Sequence, residues 1–313
     1  MDILKLNTVF SAEELMAQEF KPTQWLVDNL LPEGLTVLSG APKIGKSFLS
    51  LELAVAVATQ GSVLGHCVSK ARSVLVLALE DGPPRLFNRM QSAKFPIPGN
   101  LYFSVDWPAT GGPDRLREYL VAEPETDLVI IDTLGFFLPP TISRGHSAYD
   151  SDVSRMRILK EIMEATQTSI IVIHHDKQGE EGDWTAKING TNGIVGTADT
   201  LIRLSVKKRG SREASLQITG RDIEDIELAL VLDDSRMRWR VDRTRDLDTL
   251  SPLQMRVLNL IPFAPKSISV KEIKNTIDKK APQVSELLRK LLDRGHIEKL
   301  DYGQYTRSNT QTT

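Results

Sequence analysis

Cysteine occurs once in the 313 residues, at Cys67, so an intrachain disulfide and a cysteine-built zinc site are both excluded. Long apolar runs are also missing. The longest, around Leu49 to Ala58, falls well short of the roughly 20 residues that a membrane-spanning helix needs. Met1-Asp2-Ile3-Leu4-Lys5 lacks a signal-peptide pattern, and a cytoplasmic protein without membrane association is expected. The net charge is only −2, which neither requires nor excludes a nucleic-acid partner and leaves that question to local charge. No segment repeats at a solenoid period. What the chain does have is 41% hydrophobic residues, ample for one large domain or one large plus one small.

The run Gly40-Ala41-Pro42-Lys43-Ile44-Gly45-Lys46-Ser47 fits the phosphate-loop pattern G-x-x-x-x-G-K-[ST]. Its context carries as much weight as the match. Leu35 to Ser39 reads as a buried strand and Phe48 to Ala58 as an apolar, Ala-rich helix, the strand-loop-helix order that phosphate binding requires. Glycines let successive backbone N–H groups curl round phosphate oxygens, and the helix N-terminus adds positive potential. Lys46 then reaches the β/γ oxygens and Ser47 holds Mg²⁺, so the nucleotide contacts are expected along residues 40–48, Phe48 included. The alternative is a Gly-rich turn before a core helix.

Two later strands end in acids. Val74 to Leu79 leads into Glu80-Asp81, and charges at the mouth of a parallel strand face the ligand crevice. Glu80 is a candidate general base for the attacking water, whereas an N-cap for the helix Pro84–Ala93 suits Asp81 better. Leu128-Val129-Ile130-Ile131-Asp132 has the form of a Walker B strand, with Asp132 on Mg²⁺. Ser169 to Ile173 runs into His174-His175-Asp176, neighbours whose side chains diverge too much for zinc. His174 or His175 would instead sense the γ-phosphate, unless both are satisfied in the core.

Short apolar runs alternate with helical periods: 35–39, 73–79, 101–105, 128–131, 169–173, 200–205, 215–219 and 228–232. This alternation predicts an α/β fold with a largely parallel sheet, and the short connections after 200 predict antiparallel hairpins at its end. The polar, glycine-bearing stretch 177–197 reads as a long loop, in which Lys177, Lys187, Asn189 and Asn192 would touch a nucleic-acid backbone or merely fill space. Residues 139–150 read as a second polar loop, expected to face a central channel. Lys207, Lys208 and Arg209 sit at a basic hairpin tip. Arg203 and Arg221 are candidates for a finger that reaches a neighbour's γ-phosphate; the alternative is an internal ion pair with Asp222 or Glu224.

After residue 245 the pattern changes. A polar connector precedes helical periods at 253–260, 269–277 and 283–294, then two short strands at 295–300 and 303–306, which predicts a winged helix-turn-helix. Residues 266–307 hold ten Lys/Arg against six Asp/Glu, a local excess that suits DNA contact. Lys279, Lys280, Gln283, Ser285, Arg289 and Lys290 fall at the recognition helix, Arg294 and Lys299 near the wing. The division is then a lead-in at 1–22 opening a helix at Ser11, an ATPase domain at 23–245, a winged helix at 246–307 and a disordered tail at 308–313.

These motifs in this order resemble the RecA-like ATPases of the hexameric replicative helicases, most closely the plasmid RepA type of AAA domain. The residues that carry the likeness are Trp25 to Leu31 leading into Leu35–Ser47, Leu79-Glu80-Asp81, Ile131-Asp132-Thr133-Leu134, Val172-Ile173-His174-His175 and Thr219-Gly220-Arg221-Asp222. The resemblance implies a RecA-like P-loop core, ATP and Mg²⁺ at the subunit interfaces of a hexameric ring, Glu80 as catalytic base, a sensing histidine and a trans arginine at Arg221 or Arg203. The expected function is an ATP-driven motor on single-stranded DNA, with duplex DNA a possible target of the winged helix. An ATP-gated DNA-binding regulator and a recombinase or helicase loader are the alternatives.

Overall fold

The computed structural model describes residues 11–18, 22–108, 110–139, 147–176, 184–188, 192–206, 208, 210–242, 250–301 and 303–308. Of the sequence expectations, Lys177, Asn189, Lys207, Arg209, the connector 246–249 and the tail from 309 lie outside them.

The chain opens with α1 (Ala12–Met16), whose N-terminal N–H groups are closed by a reciprocal Ser11/Glu14 box. A small hairpin of β1 (Trp25–Val27) and β2 (Leu31–Pro32) precedes β3 (Leu35–Ser39), α2 (Lys46–Thr59) and a second hairpin, β4 (Ser62–Val63) with β5 (His66–Cys67). Next come β6 (Ser73–Ala78), α3 (Pro83–Ser92), β7 (Leu101–Ser104), α4 (Gly112–Ala122), β8 (Thr126–Asp132), α5 (Leu134–Phe137), α6 (Ala148–Thr166) and β9 (Ser169–Ile173). A 3₁₀ turn at Trp184–Lys187 and α7 (Asn192–Thr197) lead to β10 (Thr200–Val206), β11 (Glu213–Gly220), β12 (Ile226–Asp233) and β13 (Arg238–Val241).

Among the described residues the main sheet has nine strands in the order β13-β12-β11-β10-β3-β9-β8-β6-β7. All eight runs expected from the sequence are in it. From β7 to β10 neighbouring strands are parallel, and β10 to β13 are antiparallel. The parallel strands alternate residues between two cores. Leu38, Val74, Val76, Leu128, Ile130, Ile171 and Ile173 pack on the side of α2. Val37, Leu75, Leu77, Val129, Ile131, Ile170 and Val172 pack on the side of α4 and α6. Burial on both faces is why these strands read as unbroken apolar runs. Helix α2 is itself buried nearly all round, from Leu49 through Ala58, so its sequence lacks a polar stripe.

Two expected loops differ. Helix α7 occupies the end of the 177–197 stretch, because Ile194 has an apolar site against the α6 side of the sheet. Ala148 to Asp150 are already helical, since Ser147 and Asp150 form a capping box that starts α6 there.

The last part of the chain has its own core. Helices α8 (Pro252–Leu260), α9 (Val270–Ile277) and α10 (Ala281–Asp293) pack through Val257, Leu258, Ile273, Ile277, Val284, Leu288 and Leu291. A three-stranded sheet, β14 (Ile268–Ser269), β16 (Gln304–Arg307) and β15 (Ile297–Asp301) in that order, closes it. Ser251 and Ser269 cap α8 and α9. Among the described residues no helix is long and apolar enough to cross a membrane.

One buried charge in α2 has a measurable consequence. Glu52 is 7% exposed, and burial raises its carboxyl to about 7 against the pull of Arg238, a Trp239 backbone N–H and Arg240. Below the unfolded value near 4.5 both states hold the proton, and the group does not affect stability. Between that value and about 7 the unfolded chain loses it first; above about 7 the folded chain carries the whole cost, on the order of 3 kcal/mol. Glu52→Gln is therefore expected to melt higher than wild type at pH 8 and level with it near pH 4.5. Thermal denaturation across that range checks it, and an E52Q protein less stable at pH 8 would contradict it.

A candidate nucleotide site at the carboxyl edge of the parallel strands

The carboxyl ends of β3, β6, β8 and β9 lie side by side, and each delivers one part of the site. From β3 comes the glycine loop. Gly40 has φ 154°, and a Cβ there would stand 2.5 Å from the carbonyl oxygen of Leu204 on β10. Gly45 has φ 97°, a conformation that side-chain-bearing residues rarely adopt, and it is the N-cap of α2. Ala41, Pro42 and Lys43 are exposed at the tip, Ile44 is buried beneath it, and Ser47 and Phe48 are half-buried. The Phe48 ring carries the Arg89 guanidinium 5.6 Å from its centre.

Lys46 is 5% exposed and its ammonium donates to the carbonyls of Gly40 at 2.7 Å and Ala41 at 2.9 Å. Burial holds this amine below the ordinary lysine range, while Asp176, Asp132 and Glu80 pull it back up. Asp132 ends β8, is buried, and accepts from the Ser47 hydroxyl. Burial pushes its carboxyl up, with Glu80 and Asp81 adding to the rise and Ser47 and Arg89 opposing it. The Thr133 hydroxyl donates to Glu80 Oε1 at 3.0 Å. Asp81, beside Glu80, is buried and bound by both Arg85 and Arg89 of α3.

Strand β9 continues alongside the glycine loop, its His174 N–H bonded to Leu38 O and its Asp176 N–H to Gly40 O. This places His175 between two groups: Nδ1 is 3.3 Å from Lys46 Nζ and Nε2 is 3.5 Å from Glu80 Oε1. His174 is buried to the other side of the chain's alternation. Asp176 Oδ2 accepts from Arg203 Nε at 2.9 Å, and among the described residues its buried Oδ1 and the Ser39 hydroxyl have no hydrogen-bond partner.

The two candidate arginines are at opposite edges of the sheet. Arg203 pairs across from Ser39 at the loop edge and is committed to Asp176. Arg221 is 57% exposed at the amino edge, donating to Gly196 O at 3.2 Å and lying 3.5 Å from Asp199, not paired with Asp222 or Glu224. Lys208 is exposed at the β10–β11 turn, and Lys187 lies in the 3₁₀ turn. Arg289 of α10 reaches both oxygens of Glu224 at 3.2 Å, and Lys290 pairs with Glu286 one turn before it. Both line a cleft of about 390 Å³ between α10 and the segment Asp222–Ile226.

The donor set fits a Mg²⁺-nucleotide. A hydroxyl and carboxylates are the hard oxygens that Mg²⁺ prefers, and the buried Lys46 ammonium, bonded to its own loop's carbonyls, stands where phosphate oxygens would lie. Sequence reading missed three contributors: Thr133 as a donor to Glu80, Asp176 as the partner of Arg203, and Trp239, whose indole lies against Gly45.

A glycine loop between strand and helix, an acid ending the strand two places away and this sheet order define a P-loop NTPase core. The chain belongs to the AAA domain family, whose model matches residues 2–181. Among solved structures it is similar to the ATPase domain of G40P, with a TM-score of 0.52 and 13% identity over 67% of this chain and 84% of that one. It is equally similar to a DnaB-like replicative helicase solved in a study of its interactions with primase, with TM-score 0.52 and 13% identity over 67% of this chain and 59% of that one. At such identity the likeness shows the fold, that of helicase ATPase domains. No curated protein sequence matches.

The crowding of acids gives a stability prediction. Because its surroundings disfavour the charged carboxylate, Asp132→Asn is expected to raise the melting temperature of the nucleotide-free protein at pH 8. A melting temperature below wild type at that pH would mean the carboxylate is better satisfied than the geometry indicates.

Proposed function

We propose that this protein is a Mg²⁺-dependent ATPase of the RecA-like, RepA helicase type that assembles as a ring, hexameric by preference, on single-stranded DNA and couples hydrolysis to movement along it. The observation that supports this best is the convergence of Lys46, Ser47, Asp132, Glu80 and His175 at one sheet edge. The backbone N–H groups of residues 43–47 wrap the phosphates at the start of α2. Lys46 exchanges the carbonyls of Gly40 and Ala41 for β/γ oxygens, and Ser47 and Asp132 hold the metal, which when bound neutralises phosphate charge. Glu80 is the base: Thr133 fixes one carboxylate oxygen, and the other takes the proton of the water that attacks phosphorus as the bond to the β-phosphate oxygen breaks. His175, in contact with both Glu80 and Lys46, senses the γ-phosphate. Arg221 has the exposure a trans-acting group needs, whereas Arg203 is held by Asp176.

The C-terminal unit is read as a winged helix. Lys279, Lys280, Arg289 and Lys290 on and beside α10, with Lys208 at the loop edge, are the DNA contacts proposed. The docking of Arg289 on Glu224 favours a second reading, an ATP-gated regulator in which nucleotide controls when α10 is free to bind duplex DNA.

ATP hydrolysis with and without single-stranded DNA, together with mass in ATP, tests the proposal. Stimulated turnover by an assembly near six subunits is expected, and Lys46→Ala should lower turnover by about 100-fold or more. Wild-type turnover in K46A would sink the ATPase assignment; unstimulated hydrolysis with tight binding to a duplex would favour the regulator.

A further inference from the structure

The glycine loop is braced from an unexpected quarter. Strand β13 is the far edge of the sheet, four places from β3, yet the sheet curls enough for β13 to pack against α2. Trp239, 2% exposed, is the contact. Its indole N–H donates to the Gly45 carbonyl at 3.3 Å, and its ring fills the space a side chain at Gly45 would need: a Cβ there would stand 3.0 Å from Nε1 and 3.1 Å from Cζ2. The same residue's backbone N–H donates to the Glu52 carboxylate, nearly two turns further along α2. Arg238 reinforces the junction, 3.5 Å from Glu52 and stacked 4.4 Å over the Phe95 ring.

We infer that Trp239 is a positioning residue for the phosphate loop: it holds Gly45 and the first turn of α2 in the shape that receives phosphate, and its ring registers when that loop is filled. The geometry carries the argument. Gly45 O already accepts from the N–H groups of Phe48 and Leu49 at 3.1 Å, so the indole is a third donor on the carbonyl that begins the helix. Those donors fix the peptide whose neighbouring N–H groups must point at the ligand. The opposite end of the loop is held by the close approach of Gly40 to Leu204 O, so the loop is clamped at both glycines, by β10 and by β13. A rigid frame behind the loop spares the ordering cost that a mobile one would add on binding. This inference rests on the reading of residues 40–47 as a phosphate loop.

The test pairs two variants with two readouts. Trp239→Phe keeps most of the ring and removes the N–H; Trp239→Ala removes the packing as well. Titration with MgADP and with a non-hydrolysable ATP analogue should show about two- to tenfold weaker binding for W239F, the worth of one hydrogen bond, and a larger loss for W239A. The melting temperature of nucleotide-free W239F should stay close to wild type. The wild-type-minus-W239F difference in tryptophan emission should shift when nucleotide is added. A purely structural Trp239 would instead lower the melting temperature while leaving W239F with wild-type affinity and a difference emission indifferent to nucleotide, and that result overturns the inference. Wild-type protein that binds no nucleotide in the same titration overturns both this inference and the phosphate-loop reading beneath it.

Discussion

A parallel sheet covered on both faces can place charge only at the ends of its strands. Along β3, β9, β8 and β6 the residues packed into the two cores are apolar and buried, so Lys46, Glu80, Asp132, His175 and Asp176 gather at the carboxyl edge. Everything else in the site follows from that confinement. Acids and a buried ammonium share that edge, and burial moves the lysine down and Asp132 up. A site with these tendencies is completed by a ligand that brings both anionic oxygens and a cation.

The groups of the site are bonded to one another. Lys46 takes the carbonyls of its own loop, Ser47 takes Asp132, and His175 spans Lys46 and Glu80. In the proposed cycle phosphate oxygens take the place of the Gly40 and Ala41 carbonyls on Lys46, which links the local hydrogen bonding to that proposal. The loop is braced at both ends, Gly40 against β10 and Gly45 against Trp239. The antiparallel strands added after β10 thus do more than extend the sheet: they bring the last one round behind α2.

Much of this was legible beforehand, for physical reasons. Local pattern encodes strands buried on both faces, so β3, β6, β8 and β9 and their terminal acids could be read directly, and the glycine loop declares itself by spacing. What depends on long-range closure could not be read. Nothing in Arg238-Trp239-Arg240 announces that an edge strand will touch Gly45, nearly two hundred positions earlier. Which histidine faces the site is set by the pleat at the end of β9, and the two arginines were separated only when β10 and β11 were paired, putting Arg203 at one edge and Arg221 at the other. Helix α7 was hidden by its glycines, which weaken the helical signal although Ile194 supplies the apolar anchor.

The C-terminal unit has a separate ten-residue apolar core and meets the ATPase sheet through an ion pair that is largely exposed, Arg289 with Glu224. Exposed pairs of that kind are worth little and are weakened by salt, so this contact can be exchanged at small cost for another anion. Nucleotide chemistry is confined to the loop edge. Calorimetric titration of wild-type protein with ATP, in the presence and absence of Mg²⁺, tests it most directly. Saturable binding to one site per chain that tightens markedly with Mg²⁺ is the result this account predicts; no binding, or binding indifferent to Mg²⁺, would contradict it.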